Sequence, residues 1–316
     1  MRELDLRLGI PMASLSFLLL TAPSTAATQQ DPAEIVVRAT LISPEQARDR
    51  AVNFVRRTGV ANGQQQVARW VVPACIKVIG LTAPQEAKVA GVIRGVAREA
   101  KVPVAPPDCE PNLTVSFTSD GGEVVRKIHA RKPSQFSDLT RAEKEQLLNG
   151  PAAVRWWYVT EMMDRDGVKA NTISAPWIGP DKEGGTSAYS LPTAEGVTAT
   201  QQYNSGSNVR TPTVRSLYGA NVVVDASTAE GTSVDAIAAY AAMVAFAEIK
   251  ASDPPPDSIL GLFQPGGAET TMTDWDMAFL KSLYRMPLDR RSRIQRGHLV
   301  EALLDERLPQ GSGKQP

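Results

Sequence analysis

An α+β fold is what this sequence predicts: a mixed β-sheet with helices packed on it and a helical C-terminal part. The first half alternates short β-branched runs with helix start signals, the pattern of strands and helices laid down in turn. In the last third, the run from Ala236 to Ala247 carries no charge and is apolar all the way round, so at helical pitch it has no water-facing side. Too short to span a bilayer, it belongs at the centre of a globular domain. Beyond it, Met277, Leu280 and Leu283 or Tyr284 fall at helical spacing.

Arg2 and Arg7 precede an apolar segment, densest from Ala13 to Ala22, and then the small residues Ser24 and Ala26 or Thr25 and Ala27. That order predicts a signal peptide over residues 1–26, removed on export. Ala33 to Thr40 is expected as the first strand of a single domain over residues 33–308. Ser43-Pro44-Glu45-Gln46 has a capping residue, a proline at the first helical position and a glutamine three residues after the cap. It opens a helix that buries Ala51, Val52, Phe54 and Val55 and stops at Gly59. Val67 to Val72 returns as a strand. Thr82-Ala83-Pro84-Gln85 repeats the start signal ahead of Val89, Val92, Ile93, Val96 and Ala100, the clearest amphipathic helix in the chain.

Leu113 to Thr118 is the next strand, and Asp120-Gly121-Gly122 leads into a short basic helix, Glu123 to Lys132. Thr140-Arg141-Ala142-Glu143 caps another, ending at Asn149-Gly150. In the aromatic strand Val154 to Glu161, alternation puts Val154, Trp156 and Tyr158 on one face and Arg155, Trp157 and Val159 on the other. Two large, partly apolar faces place this strand at the centre of the sheet. Residues 164–213, rich in Gly, Ser, Thr, Asn and Pro, form a long irregular insertion of the kind that covers a site, folds into irregular hairpins or is mobile. Val214 to Ala226 is again a strand. It leads to the buried helix, expected from Thr232 to Lys250 with Asp253-Pro254-Pro255-Pro256 as its forced stop. Thr273-Asp274-Trp275-Asp276 caps a helix through Tyr284, and Asp289 to Leu308 forms the last, before a disordered tail over 309–316.

Lys plus Arg and Asp plus Glu both number 34, so the net charge is zero and non-specific attraction to nucleic acid or anionic lipid is excluded. No membrane span is expected once the signal peptide is gone. Export leads to an oxidising compartment, the periplasm or the exterior, where the two cysteines, Cys75 and Cys109, are expected to pair.

The order VVVDA, TSVDAIAAYAAMVAFAEI, DPPPDSILGLF and TDWDMAFLKSLY, from Val214 to Tyr284, resembles the C-terminal half of secreted bacterial proteins of unknown function whose architecture is similar to that of the zincin metallopeptidases. The resemblance implies a strand before the helix that carries the zinc ligands in the peptidases, and further helices closing the site from below. A zinc-bound water needs a His-Glu-x-x-His helix, and here Ala242 to Ala247 are apolar throughout, while His129 and His298 lie far apart. The expectation is a zincin-like shell with no metal of its own.

Other chemistry has no signature: there is no Gly-x-Ser-x-Gly elbow, phosphate loop, Gly-x-Gly-x-x-Gly or Cys-x-x-Cys, and no cofactor is expected. One constellation stands out, Arg155, Trp157 and Arg215 with the carboxylates Glu161 and Asp225. Arginines beside an aromatic strand suit an anionic or peptide ligand through bidentate and stacking contacts. The same residues also fit a central strand whose arginines pair with nearby acids. The function expected is an exported binding or interaction protein, its partner a small anionic or peptide ligand or an envelope protein. The rival is a divergent peptidase or another hydrolase using carboxylates.

Overall fold

Strand β7 (Val214–Asp225) organises a mixed sheet together with β1 (Arg69–Trp70), β2 (Ile76–Ile79), β3 (Leu113–Thr118) and β4 (Val154–Met163); β5 (Pro176–Pro180) and β6 (Thr186–Ser190) form a separate antiparallel hairpin. The computed structural model describes residues 43–60, 65–163, 210–211, 213–250, 253–267 and 270–307, and the backbone of the hairpin strands. The expected signal peptide, first strand, tail and most of the 164–213 insertion lie outside the described residues. All described residues fall in one unit, Ile42–Pro316.

Along one edge β7 pairs in parallel with β1 at Ser216–Leu217 and with β3 over Ala220–Asp225, and β2 extends the sheet beyond β3. Along its other edge β7 pairs antiparallel with β4 over its whole length. The aromatic strand β4 is therefore beside the central strand rather than central. Its two buried faces come from helices above and below the sheet, which alternation of side chains cannot tell from lateral neighbours.

The helices are α1 (Pro44–Thr58), α2 (Ala83–Ala100), α3 (Gly121–Arg131), α4 (Arg141–Asn149), α5 (Val234–Phe246), α6 (Asp274–Arg285) and α7 (Ser292–Arg307). On one face, α5 packs against β7 and α2, and α6, α7 and α1 continue the layer. Val154 and Tyr158 of β4 and Val222 and Val224 of β7 point into this main core. The opposite face holds a smaller core of Val125, Phe136, Trp157 and Val223 beneath α3 and α4. In α1 the buried residues are Ala47, Ala51, Phe54 and Val55, whereas Val52, expected inside, is 45% exposed because it falls outside that stripe.

Helix α5 is buried from Ala236 to Phe246, as its composition demands, with Ser233 capping Ala236 N at 3.1 Å. It stops at Phe246, short of Lys250 and of the prolines. A helix end leaves its last carbonyls without intrahelical donors. Here aromatic side chains from three other segments supply them. Trp70 Nε1 donates to Ala245 O at 2.8 Å and Tyr284 Oη to Phe246 O at 2.8 Å. The Tyr158 hydroxyl lies 2.7 Å from Val244 O and 2.9 Å from Ala247 O, and accepts from Ile249 N at 3.0 Å. Burial pushes the Tyr158 and Tyr284 phenols above their ordinary pKa, which keeps them protonated as donors. Tyr158→Phe removes the hydroxyl from Val244 O in the core, while Ile249 N keeps its bond to Ala247 O at 2.7 Å, and is expected to destabilise by about 2 kcal/mol in urea unfolding, since an orphaned buried polar group costs roughly 1–3 kcal/mol.

Candidate functional site

The five residues proposed from sequence do not converge. The β4–β7 register runs Val159 to Gly219 and then Thr160 to Leu217, so Tyr218 is an extra residue, a β-bulge. Strict alternation would put Arg215 on the same face as Val223 and Asp225. The bulge reverses that order, and Arg215 turns to the α5 side, where it pairs with Glu248 just beyond the helix. Arg155 pairs with Val223 and Arg215 with Met162, so the two arginines stand at opposite ends of the ladder, roughly 23 Å apart along it.

At the first end, Arg155 donates to Ala152 O at 2.8 Å and Gly150 O at 2.9 Å, and its guanidinium lies 3.9 Å from Asp225. Asp225 accepts from Gly121 N at 2.9 Å and Ser227 Oγ at 2.6 Å, holding the start of α3. Burial alone would raise the Asp225 pKa, but these hydrogen bonds prevail and hold it below the usual range. Trp157 is fully buried and stacked on Phe136 at 4.9 Å, so it is core. Glu161 is half-buried opposite Ser216, near the other end of the ladder. Of the five, only Arg155 and Asp225 meet. His129 packs edge-on against Phe136 and His298 is exposed, so neither histidine enters a common site.

A cleft of about 650 Å³ opens instead between α4, the start of β4, the exit of α5 and the 3-10 turn Ile259–Gly261. This is within the size range of small-molecule sites. Trp156, Tyr240 and Phe263 form its aromatic wall, Tyr240 meeting Trp156 edge-on at 6.0 Å and Phe263 at 5.2 Å. Leu139, Leu147, Ile249 and Leu260 add apolar surface, and Glu143, Gln146, Lys250 and Gln264 supply polar groups. Trp156 Nε1 is committed to Ile249 O at 3.0 Å. The Tyr240 hydroxyl finds no hydrogen-bond partner among the described residues, and burial raises its pKa, so it faces the cleft as a neutral phenol.

Each wall is fixed from behind. Asp276, in the first turn of α6, accepts from Ser258 Oγ at 2.5 Å and Ile259 N at 2.8 Å, which anchors the 3-10 turn carrying Leu260. Thr140 N donates to Glu143 at 2.7 Å in the α4 capping box. Lys250 N donates to Thr58 O at 3.0 Å, where α1 ends in Gly59 at φ 71°. A Cβ on Gly59 would lie 2.8 Å from Lys250 O, so glycine serves both the left-handed backbone and this close approach.

No family model, curated protein or solved structure matches the chain. The zincin-like resemblance accordingly rests on sequence pattern. Among the described residues, no three His, Cys, Asp or Glu side chains cluster as metal ligands, and no helix is long and apolar enough to cross a membrane. Sequence reasoning missed Tyr240, Phe263 and Lys250 as cleft residues. The available signal was that Tyr240 is the sole hydroxyl in the run from Ala236 to Ala247.

Proposed function

We propose that this is an exported binding protein that receives a small, flat, largely apolar molecule in the cleft walled by Trp156, Tyr240 and Phe263. The observation that carries the reading is the concave aromatic wall with one hydroxyl that has no partner among the described residues, the usual composition of a ligand pocket: mostly apolar, with a few polar groups to orient the guest. A position outside the cytoplasm is supported by the Cys75–Cys109 disulfide and by the basic-then-apolar N-terminal sequence. The rival reading, hydrolysis by carboxylates, needs two acids facing one substrate bond; among the described residues lining the cleft, Glu143 is the sole carboxylate.

The test uses N-phenyl-1-naphthylamine, a neutral fluorescent probe of this shape. Saturable binding at one site per chain is expected, weakened about tenfold or more by Phe263→Ala, because Phe263 contributes buried apolar contact. No saturable binding to the folded protein, or binding indifferent to Phe263→Ala, would remove the proposal.

A further inference from the structure

Resting on that reading of the cleft, we infer that its occupant is an organic monoanion, an apolar body ending in one carboxylate- or sulfonate-like group held by Lys250. The argument is a count of charges and donors. Arg215 and Glu248 have side chains exposed by only 9% and 8%, and they satisfy one another through two parallel hydrogen bonds, so together they are a closed neutral pair. Lys250 follows two residues later and is the next cation. Its Nζ lies 3.4 Å from Glu248 Oε1, but that oxygen already accepts from Arg215 at 2.9 Å.

The second carboxylate near Lys250, Glu143, stands 3.9 Å away, beyond hydrogen-bond length. It is also held in place by the α4 capping box, where its other oxygen takes Thr140 N at 2.7 Å. Lys250 Nζ donates no hydrogen bond to any described residue, while its side chain is 27% exposed and lines the cleft. An ammonium that makes two long ion pairs, to Glu248 at 3.4 Å and Glu143 at 3.9 Å, but donates no hydrogen bond to a described residue is a docking point for one anionic group beside the aromatic wall. Arg155 also lines the cleft, but its terminal nitrogens are committed to Gly150 and Ala152 carbonyls. Glu143 stays close enough to disfavour a second negative charge. Together these features select a guest with a single negative end and a ring system or short chain behind it.

The test compares 8-anilinonaphthalene-1-sulfonate with N-phenyl-1-naphthylamine, two probes of the same ring framework that differ in the sulfonate. In low salt the anionic probe is expected to bind about tenfold more tightly, and added salt should shrink the difference, because the contact is a partly exposed charge pair. Lys250→Met should abolish the preference, read as the ratio of the two probe affinities within that variant, with urea unfolding showing that the variant is folded. Lys250→Arg should restore most of the preference. Equal affinities for the two probes, or a preference surviving Lys250→Met, would overturn the assignment of Lys250 while leaving the cleft intact. Failure of both probes to bind would overturn the cleft itself.

Discussion

Glu248→Met is expected to cost the fold about 3–5 kcal/mol, the usual consequence of removing one partner from a buried ion pair. The loss leaves Arg215, whose side chain is 9% exposed, without its carboxylate in the main core, and removes the negative charge that keeps Arg215 and Lys250 from repelling one another. The reverse change should be milder. In Arg215→Met, Lys250 already sits 3.4 Å from Glu248 and can take it as its own partner, so a loss nearer 2 kcal/mol is expected. Replacing both residues by methionine should recover much of the difference, since a buried pair exchanged for apolar side chains of similar volume is often close to neutral. Urea unfolding of the three variants reads these values directly. Equal losses for the two single variants would show that Lys250 does not couple to the pair.

Reducing the Cys75–Cys109 disulfide should lower stability by about 3–4 kcal/mol, the chain-entropy value for a loop of this length. For a domain of this size that is a fall in Tm of about 6 °C. The loop encloses β2 and α2, and its ends are held without the bridge as well. Cys75 N donates to Asn112 Oδ1 at 2.6 Å, while Asn112 N and Leu113 N donate to Cys75 O. The folded arrangement is therefore expected to survive reduction, with the effect falling chiefly on the unfolded chain. A Cys75→Ala/Cys109→Ala variant should melt with the reduced protein and ignore reductant. A melt unchanged by reductant in the natural protein would count against a stabilising role.

What could be read from sequence was what is decided locally. Ser43 with Gln46, Thr140 with Glu143 and Thr273 with Asp276 form the capping boxes their spacing predicts, and at Thr82 the Gln85 side chain reaches back to the cap N–H and hydroxyl, because both partners lie within one turn. The strand Leu113–Thr118 has the predicted bounds and alternates buried and half-buried residues. The disulfide could be read because two cysteines allow a single intramolecular pairing. The end of α5 was not legible, since its stop is set by Trp70, Tyr158 and Tyr284, which no local rule connects to residue 246. The binding constellation failed for a similar reason. One inserted residue, Tyr218, sends Arg215 to the opposite face from Arg155; the local cue was Gly219, a glycine inside an otherwise apolar strand, which marks a bulge but not the direction in which it turns the neighbouring side chains. Tyr240 was hidden because an apolar helix reads as packing on every side, and only the approach of Trp156 and Phe263 shows that one of its sides borders a cavity.

The aromatic closure of α5 also governs how the protein opens. Most helices fray from their ends, exchanging amide hydrogens with water while the remainder stays folded. The final turn of α5 is tied instead to β1, β4 and α6, segments separated by more of the chain than any local fluctuation can release. Its amides should exchange at the slowest rate in the molecule, together with those of β7, which makes the helix and the sheet a single cooperative block.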